Sequence, residues 1–256
     1  MSVDKVVASA TDAVADISDG ASLAVGGFGL AGIPWILIEA VLEQGASELT
    51  VVSNNCGVDG AGLGLLLEQR RIKRVIASYV GENKEFARQY LVGELTVELT
   101  PQGTLAERLR AGGAGLGAFY TPTGVGTPVA EGGLPWRYDP DGSVALASPA
   151  KDVRVFHGKE MVLEESIVTD VALVRAAVAD RAGNCVFHAS ARNFNPDAAM
   201  AGRLTLVEAE KLVEVGELAP DDVHLPGVFV QRVVELTSEQ ATRKDIEKRT
   251  TRERVH

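Results

Sequence analysis

Four short apolar runs in the first 111 residues, each followed by a stretch that reads as helix, constrain this chain more than any other feature. The runs at 22–25, 49–53, 74–78 and 95–99 have strand length, and the stretches at 35–44, 60–69, 83–92 and 104–111 read as helices between and after them. An earlier helical spacing, carried by Val6, Val7, Ala10, Val14 and Ile17, predicts a helix within 3–17. Pro34 sits where a first helical residue belongs, and Gly45 closes that helix. Strand, crossover, strand at this spacing predicts a largely parallel sheet covered on both faces by helices.

The rest of the chain changes rhythm. Glycine and proline dominate 112–149, which reads as long loops, and strands follow at 152–156, 161–163, 170–179, 185–188, 204–209 and 228–235. The predicted fold is therefore α/β, a largely parallel sheet flanked by helices and followed by a strand-rich second half. With neither an internal repeat nor a linker-like segment, 1–237 reads as one domain. Residues 238–256 carry six basic and four acidic side chains, and read as a solvated helix, a frayed end or a docking tail.

Charge narrows the function. Lys and Arg number 25 against 35 Asp and Glu, a formal net charge of −10, which argues against a general nucleic-acid or anionic-membrane surface. The chain has no apolar run near membrane-spanning length and no secretory leader, so a soluble, cytoplasmic protein is expected. Cys56 and Cys185 lie far apart and form neither a disulfide framework nor a metal spacing. His157, His188, His224 and His256 are equally scattered, so no metal is expected.

The motif that invites a dinucleotide is Gly27-Phe28-Gly29-Leu30-Ala31-Gly32, a G-x-G-x-x-G between a strand and a helix. A nicotinamide cofactor would also need a carboxylate at the end of the next strand, for the ribose hydroxyls. That strand ends instead in Ser53-Asn54-Asn55. Neutral amides at the carboxyl end of a parallel strand suit a carboxylate or thioester oxygen, although an asparagine turn closing the strand reads the same way. Gln102 is an amide of the same kind at the same edge. Together they supply polarity for an acid substrate, with no base or nucleophile beside them.

Residues 19–34 (DGASLAVGGFGLAGIP) resemble the signature of the A subunit of family I coenzyme A transferases. Residues 53–59, 79–83, 98–108, 118–124 and 190–195 extend the resemblance, in order, to the amino-terminal half of the branch that moves CoA between succinate and 3-oxoacids. The resemblance implies ping-pong transfer through a glutamyl-CoA thioester, with the glutamate in a Ser-Glu-Asn-Gly stretch of the B half. Glu82-Asn83 runs on into Lys84, Glu131 lacks the preceding serine, and Glu164-Glu165 sits in A-half sequence, so none of them fits.

The chain is thus expected to be half an enzyme, completed by a B subunit in an AB or A2B2 assembly, with no catalytic residue of its own. The resemblance implies succinyl-CoA as donor and acetoacetate as acceptor, with 3-oxoadipate the alternative acceptor; outside the resemblance, the glycine loop leaves a nicotinamide-dependent oxidoreductase as the remote alternative function. A CoA thioester enters as substrate, and no cofactor is held permanently. By the same resemblance, Gly26, Gly27, Phe28 and Gly29 would lie near the thioester and offer backbone N–H groups to its oxyanion. Gln102 would contact the substrate carboxylate, and Asn54 and Asn55 would line the same cavity. Gly117 departs from the pattern, which has proline there, and leaves the following loop's rigidity open. Segment 190–195 is expected to pack at the subunit interface.

Overall fold

The computed structural model describes residues 4–244. Its first half follows the alternation: α1 (Ala10–Val14), β1 (Ser22–Val25), α2 (Trp35–Gln44), β2 (Leu49–Val52), α3 (Gly64–Glu68), β3 (Ile72–Ala77), α4 (Lys84–Leu91), β4 (Thr96–Leu99) and α5 (Gln102–Gly113). Local chemistry sets several of these ends. Asn83 caps α4 by accepting the Phe86 N–H, and Gly45 ends α2 at φ +96°, a conformation that favours glycine.

A small excursion follows: β5 (Ala118–Thr121), α6 (Pro128–Glu131), β6 (Pro135–Tyr138), β7 (Val144–Ala147), β8 (Val153–Phe156) and β9 (Lys159–Glu165). The chain then returns through β10 (Thr169–Ala176), β11 (Val178–Asp180), β12 (Cys185–Val186), α7 (Asn195–Ala201), β13 (Gly202–Ala209), β14 (Leu212–Val213), β15 (Arg232–Glu235) and α8 (Ser238–Ala241).

Seven strands form one sheet in the order β15-β13-β10-β1-β2-β3-β4, every neighbouring pair parallel. Alternation along each strand divides the core into two layers. Leu23 and Val25 of β1, Leu49 and Val51 of β2, and Val171 and Leu173 of β10 pack with the helices α1 to α4. Their neighbours Ala24, Val52, Ala172 and Val174 face α5 and α7 instead. A strand buried on both sides must be apolar throughout, which is why these runs read as continuous rather than alternating. Losing one such leucine to alanine costs about 2–5 kcal/mol.

β1 steps outward through β2 and β3 to β4, while β10 steps the other way through β13 to β15. The order reverses between β1 and β10, and the crevice at the carboxyl ends there is where such sheets bind ligands.

The structure corrects the sequence reading in four places. Residues before α1 are extended, because Val6 bridges Val233 in parallel and the Val7 N–H donates to Val233 O. The run 170–179 is two strands: β10 stays in the large sheet, while β11 joins β12 and β14 in a second one. The stretch 112–149 is not simply loop, since it holds β5, α6 and the β6–β7 hairpin. α7 had no sequence signal strong enough to find it; it opens on Asn195 with a proline in its first turn. Of the strand-rich second half, β10, β13 and β15 complete the parallel sheet begun by β1 to β4.

Two loose ends are tied. Ser166 gives both its N–H and its hydroxyl to Gly117 O, and β5 pairs with β9, which steadies the segment after Gly117. The segment after β15 docks on its own chain: Arg243 pairs with Glu39 at 2.6 Å and lies over the Trp35 ring, and Lys244 reaches Glu210 at 2.6 Å. Residues 245–256 of the charged tail, with His256, lie outside the described residues.

Candidate active site

Four parallel strands deliver their carboxyl ends to one place. β1 runs into the glycine loop, β2 into Asn54-Asn55, β3 into Ser78-Tyr79, and β4 through Pro101 into Gln102 at the start of α5. Phe28, Gly29, Asn54, Asn55, Ser78, Tyr79 and Gln102 line a cavity of about 400 Å³ there. Five residues singled out in the sequence thus meet in one pocket. Gly26 and Gly27 are buried behind them. Ser78 and Tyr79 had not been singled out, although the carboxyl-edge rule that marked Asn54 applies equally to the end of β3.

The polar groups form one connected network. Gly29 N–H donates to Asn55 Oδ1 at 3.0 Å, and Asn54 Nδ2 donates to the same oxygen at 3.3 Å. Asn54 Oδ1 in turn accepts from Gln102 Nε2 and from Ser78 Oγ, each at 2.7 Å. Asn55 Nδ2 donates to Gly57 O at 3.4 Å. Asn54 and Asn55 are buried, whereas Gln102 is exposed. None of the lining residues is a carboxylate, an imidazole or a thiol, so the pocket can orient and polarise an acyl or carboxylate group without titrating beside it.

The glycine loop is held from behind. A Cβ on Gly26 would stand 2.0 Å from Asn195 Oδ1, and one on Gly27, at φ +105°, would stand 2.4 Å from Ile33 Cγ2. Phe28 and Ala31 exchange main-chain hydrogen bonds across a tight turn. Asn195 locks the assembly: its Nδ2 donates to Gly32 O at 2.9 Å and to Ala191 O at 2.8 Å, while its Oδ1 accepts the Arg175 N–H at 3.1 Å. Asn193 Nδ2 adds a bond to Ala31 O at 3.1 Å. Segment 190–195 therefore braces the loop from within its own chain.

This bracing narrows the expected oxyanion role. The Gly26 N–H is given to Leu173 O, that of Phe28 to Ala31 O and that of Gly29 to Asn55 Oδ1. Only the Gly27 amide has no such partner among the described residues.

The helix behind the loop is also occupied. Ile36 and Leu37, in the first turn of α2, both donate to Glu208 Oε2 at 2.9 Å. A dinucleotide fold needs those amides for pyrophosphate, and here an internal carboxylate fills the position. Glu208 is fully buried, and desolvation pushes its carboxyl up to about 7, against the opposing pull of Arg175 and the two amides. Arg175 Nη1 lies 3.3 Å from Glu208, Nε bonds Glu210 at 3.0 Å and Nη2 bonds Ala241 O at 3.0 Å. Sequence reasoning missed the roles of both: Glu208 lies in a strand with no motif of its own, and Asn195 ends the matched segment 190–195, which was expected at the subunit interface rather than behind the glycine loop.

The remaining candidates fall outside the pocket. Glu82 and Glu131 are exposed, and buried Glu164 pairs with Lys151 at 2.6 Å. Burial pushes both thiols up, Cys185 to about 12, which makes them inert. His224 Nδ1 accepts the Phe187 N–H at 3.0 Å, and His157 and His188 are exposed. Among the described residues no group of His, Cys, Asp and Glu is arranged to hold a metal, and no helix is long and apolar enough to cross a membrane.

Comparison with known proteins gives the same direction. The Coenzyme A transferase family profile matches residues 7–236. The A subunit of a probable succinyl-CoA:3-ketoacid coenzyme A transferase of Mycobacterium tuberculosis (strain ATCC 25618 / H37Rv) is 62% identical over 98% of this chain and 100% of its own length. Succinyl-CoA:3-ketoacid coenzyme A transferase 2, mitochondrial, of Homo sapiens is 55% identical over 90% of this chain, which spans 44% of that longer protein. Among solved structures, an acyl-CoA transferase of E. coli O157:H7, in thioester complex with CoA, shares the fold with a TM-score of 0.76 at 24% identity. That match covers 91% of this chain and 47% of the other. With a profile match over nearly its whole length and relatives this close, the chain belongs to the Coenzyme A transferase family.

Proposed function

We propose that this chain is the A subunit of a succinyl-CoA:3-ketoacid CoA-transferase, exchanging CoA between succinate and acetoacetate together with a separately encoded B subunit. The observation that carries the reading is the pocket at the carboxyl edge, lined by neutral amides, the Ser78 hydroxyl and the Tyr79 phenol, with no carboxylate to receive CoA and no base beside the serine. Such a site orients an acid and a thioester but cannot take the acyl or CoA group itself, so the acceptor carboxylate belongs to the partner. CoA would pass from the donor acyl group to that glutamate as a thioester, and from there to the second acid.

In this reading Gln102 holds the substrate carboxylate, Asn54 and Asn55 fix the shape of the cavity, and Phe28 lies over its mouth. The Gly27 amide is the loop's remaining donor toward a developing oxyanion. Neutral donors suit the task, since a fixed cation would stabilise the attacking carboxylate in its ground state and slow it. The complex is an AB or A2B2 heteromer working in the cytoplasm, with the CoA thioester as its substrate and no permanently bound cofactor.

The test is acetoacetyl-CoA formation from succinyl-CoA and acetoacetate, by the purified chain alone and by its complex with the B subunit. Activity is expected only in the complex. Turnover by the chain alone would return the nucleophile to one of its own glutamates, and turnover by the complex with 3-oxoadipate but not acetoacetate would replace the acceptor.

A further inference from the structure

We propose that Ser78 is a positioning residue that frees Gln102 for the substrate acid, by keeping Asn54 hydrogen-bonded while Gln102 is turned away; this rests on the role proposed above for Gln102. The argument begins from a group with no ambiguity. A main-chain N–H only donates, so the Asn55 atom 3.0 Å from Gly29 N is the amide oxygen. That oxygen also meets the Asn54 amide at 3.3 Å, so the atom Asn54 offers is its nitrogen. Asn54 Oδ1 therefore points the opposite way, toward β3 and α5. Ser78 Oγ and Gln102 Nε2 reach it there, both at 2.7 Å, and since an amide oxygen only accepts, both donate to it; Asn54 O, at 3.1 Å, is the longer of the two contacts open to the single Ser78 proton. One backbone amide thus sets the direction of four side chains.

An amide oxygen has two lone pairs, and both are filled. The two donors are not equivalent. Ser78 follows the end of β3, held by its own N–H to Asn54 O at 3.0 Å, and has a short side chain. Gln102 is exposed, has a long side chain and stands at the open first turn of α5 with the cavity before it. Gln102 is the donor that leaves. When it turns to a carboxylate in the cavity, Asn54 Oδ1 keeps Ser78. Asn54 is only 2% exposed, so without Ser78 the same movement would leave a buried acceptor with no side-chain donor.

The test uses the complex with the B subunit and compares Ser78→Ala, Ser78→Thr and the double variant Ser78→Ala/Gln102→Ala. Ser78→Ala is expected to raise KM for acetoacetate roughly tenfold, the scale set by an unsatisfied buried acceptor, with kcat within about twofold of wild type. Ser78→Thr keeps the hydroxyl and restores KM. In the Gln102→Ala background the Ser78→Ala change should have no further effect on KM, since no donor is then withdrawn. A Ser78→Ala complex with KM within twofold of wild type, or the same tenfold rise in the Gln102→Ala background, overturns the proposal. A wild-type complex inactive on these substrates would count against the proposed function instead. Ser78 is then judged by calorimetric titration of succinate: a Kd raised about tenfold in Ser78→Ala supports the role, and an unchanged Kd removes it.

Discussion

Glu208 Oε2 accepts the Leu37 N–H at 2.9 Å across 171 residues of sequence, placing a carboxylate from β13 under the first turn of α2. The same oxygen takes the Ile36 N–H, so the strand from the second half of the chain fixes the helix that leaves the glycine loop. The favourable dipole and two amides do not outweigh full burial, and the carboxyl is pushed from its ordinary 4.5 up to about 7.

That shift makes stability fall as pH rises. Between 4.5 and about 7 the folded chain keeps a proton at Glu208 that the unfolded chain has released. The contribution is therefore complete below 4.5 and lost as pH rises through about 7, to the extent of about 3 kcal/mol at most. Glu208→Gln retains an oxygen for both amides and removes the titration. Urea unfolding at pH 5 and pH 8 should show the wild type losing stability relative to the variant at the higher pH. Parallel behaviour of the two would mean that Glu208 is ionised throughout.

Asn195 is the second long-range tie. Asn195→Ala would leave Arg175 N–H, Gly32 O and Ala191 O without the side chain that pairs them, and about 2–4 kcal/mol should be lost. Denaturant unfolding measures that loss. Turnover of the complex should fall with it, since the segment holding the glycine loop is released. A variant as stable as the wild type would show that water replaces the amide.

Gly27 and Gly29 separate two demands on the loop. Both have positive φ, but a Cβ on Gly27 collides with Ile33, whereas one on Gly29 meets open space. Gly29→Ala should cost about 1–2 kcal/mol of backbone strain and leave a measurable transferase. Gly27→Val should displace the loop's remaining amide donor and lower kcat by at least about a hundredfold, as loss of an oxyanion donor does. Equal kcat values in the two folded variants would remove the Gly27 amide from the chemistry.

Much of this was legible in the sequence, and the limits have physical causes. The units from β1 to α5 are local, each strand followed at once by its covering helix, so apolar spacing is enough to read them. The edge rule then placed Asn54, Asn55 and Gln102 together before any contact was known. What stayed hidden depends on distant partners. Glu208 reads as one acid in an apolar strand until α2 arrives above it, and Asn195 as the end of a motif until Gly26 and Gly32 meet it. The seven residues of α7 are too few to show a helical period. Likewise, the glycine loop advertises free amides, and only the folded chain reveals that Leu173, Ala31 and Asn55 have taken three of them.

Gln102 offers the most direct test of the pocket. Its side chain is exposed and its structural bond, to Asn54 Oδ1, is backed by Ser78. Gln102→Ala therefore removes little that the fold needs, and the melting temperature of the chain should stay within about 2 °C of wild type, as for surface substitutions generally. The substrate acid loses its neutral donor, and kcat/KM for acetoacetate should fall by about ten- to a hundredfold, the scale of one hydrogen bond to a charged group. Binding of the B subunit, followed by co-elution on a sizing column, should be unchanged. A folded Gln102→Ala complex with wild-type kcat/KM would move carboxylate recognition elsewhere and leave the amide network as scaffolding.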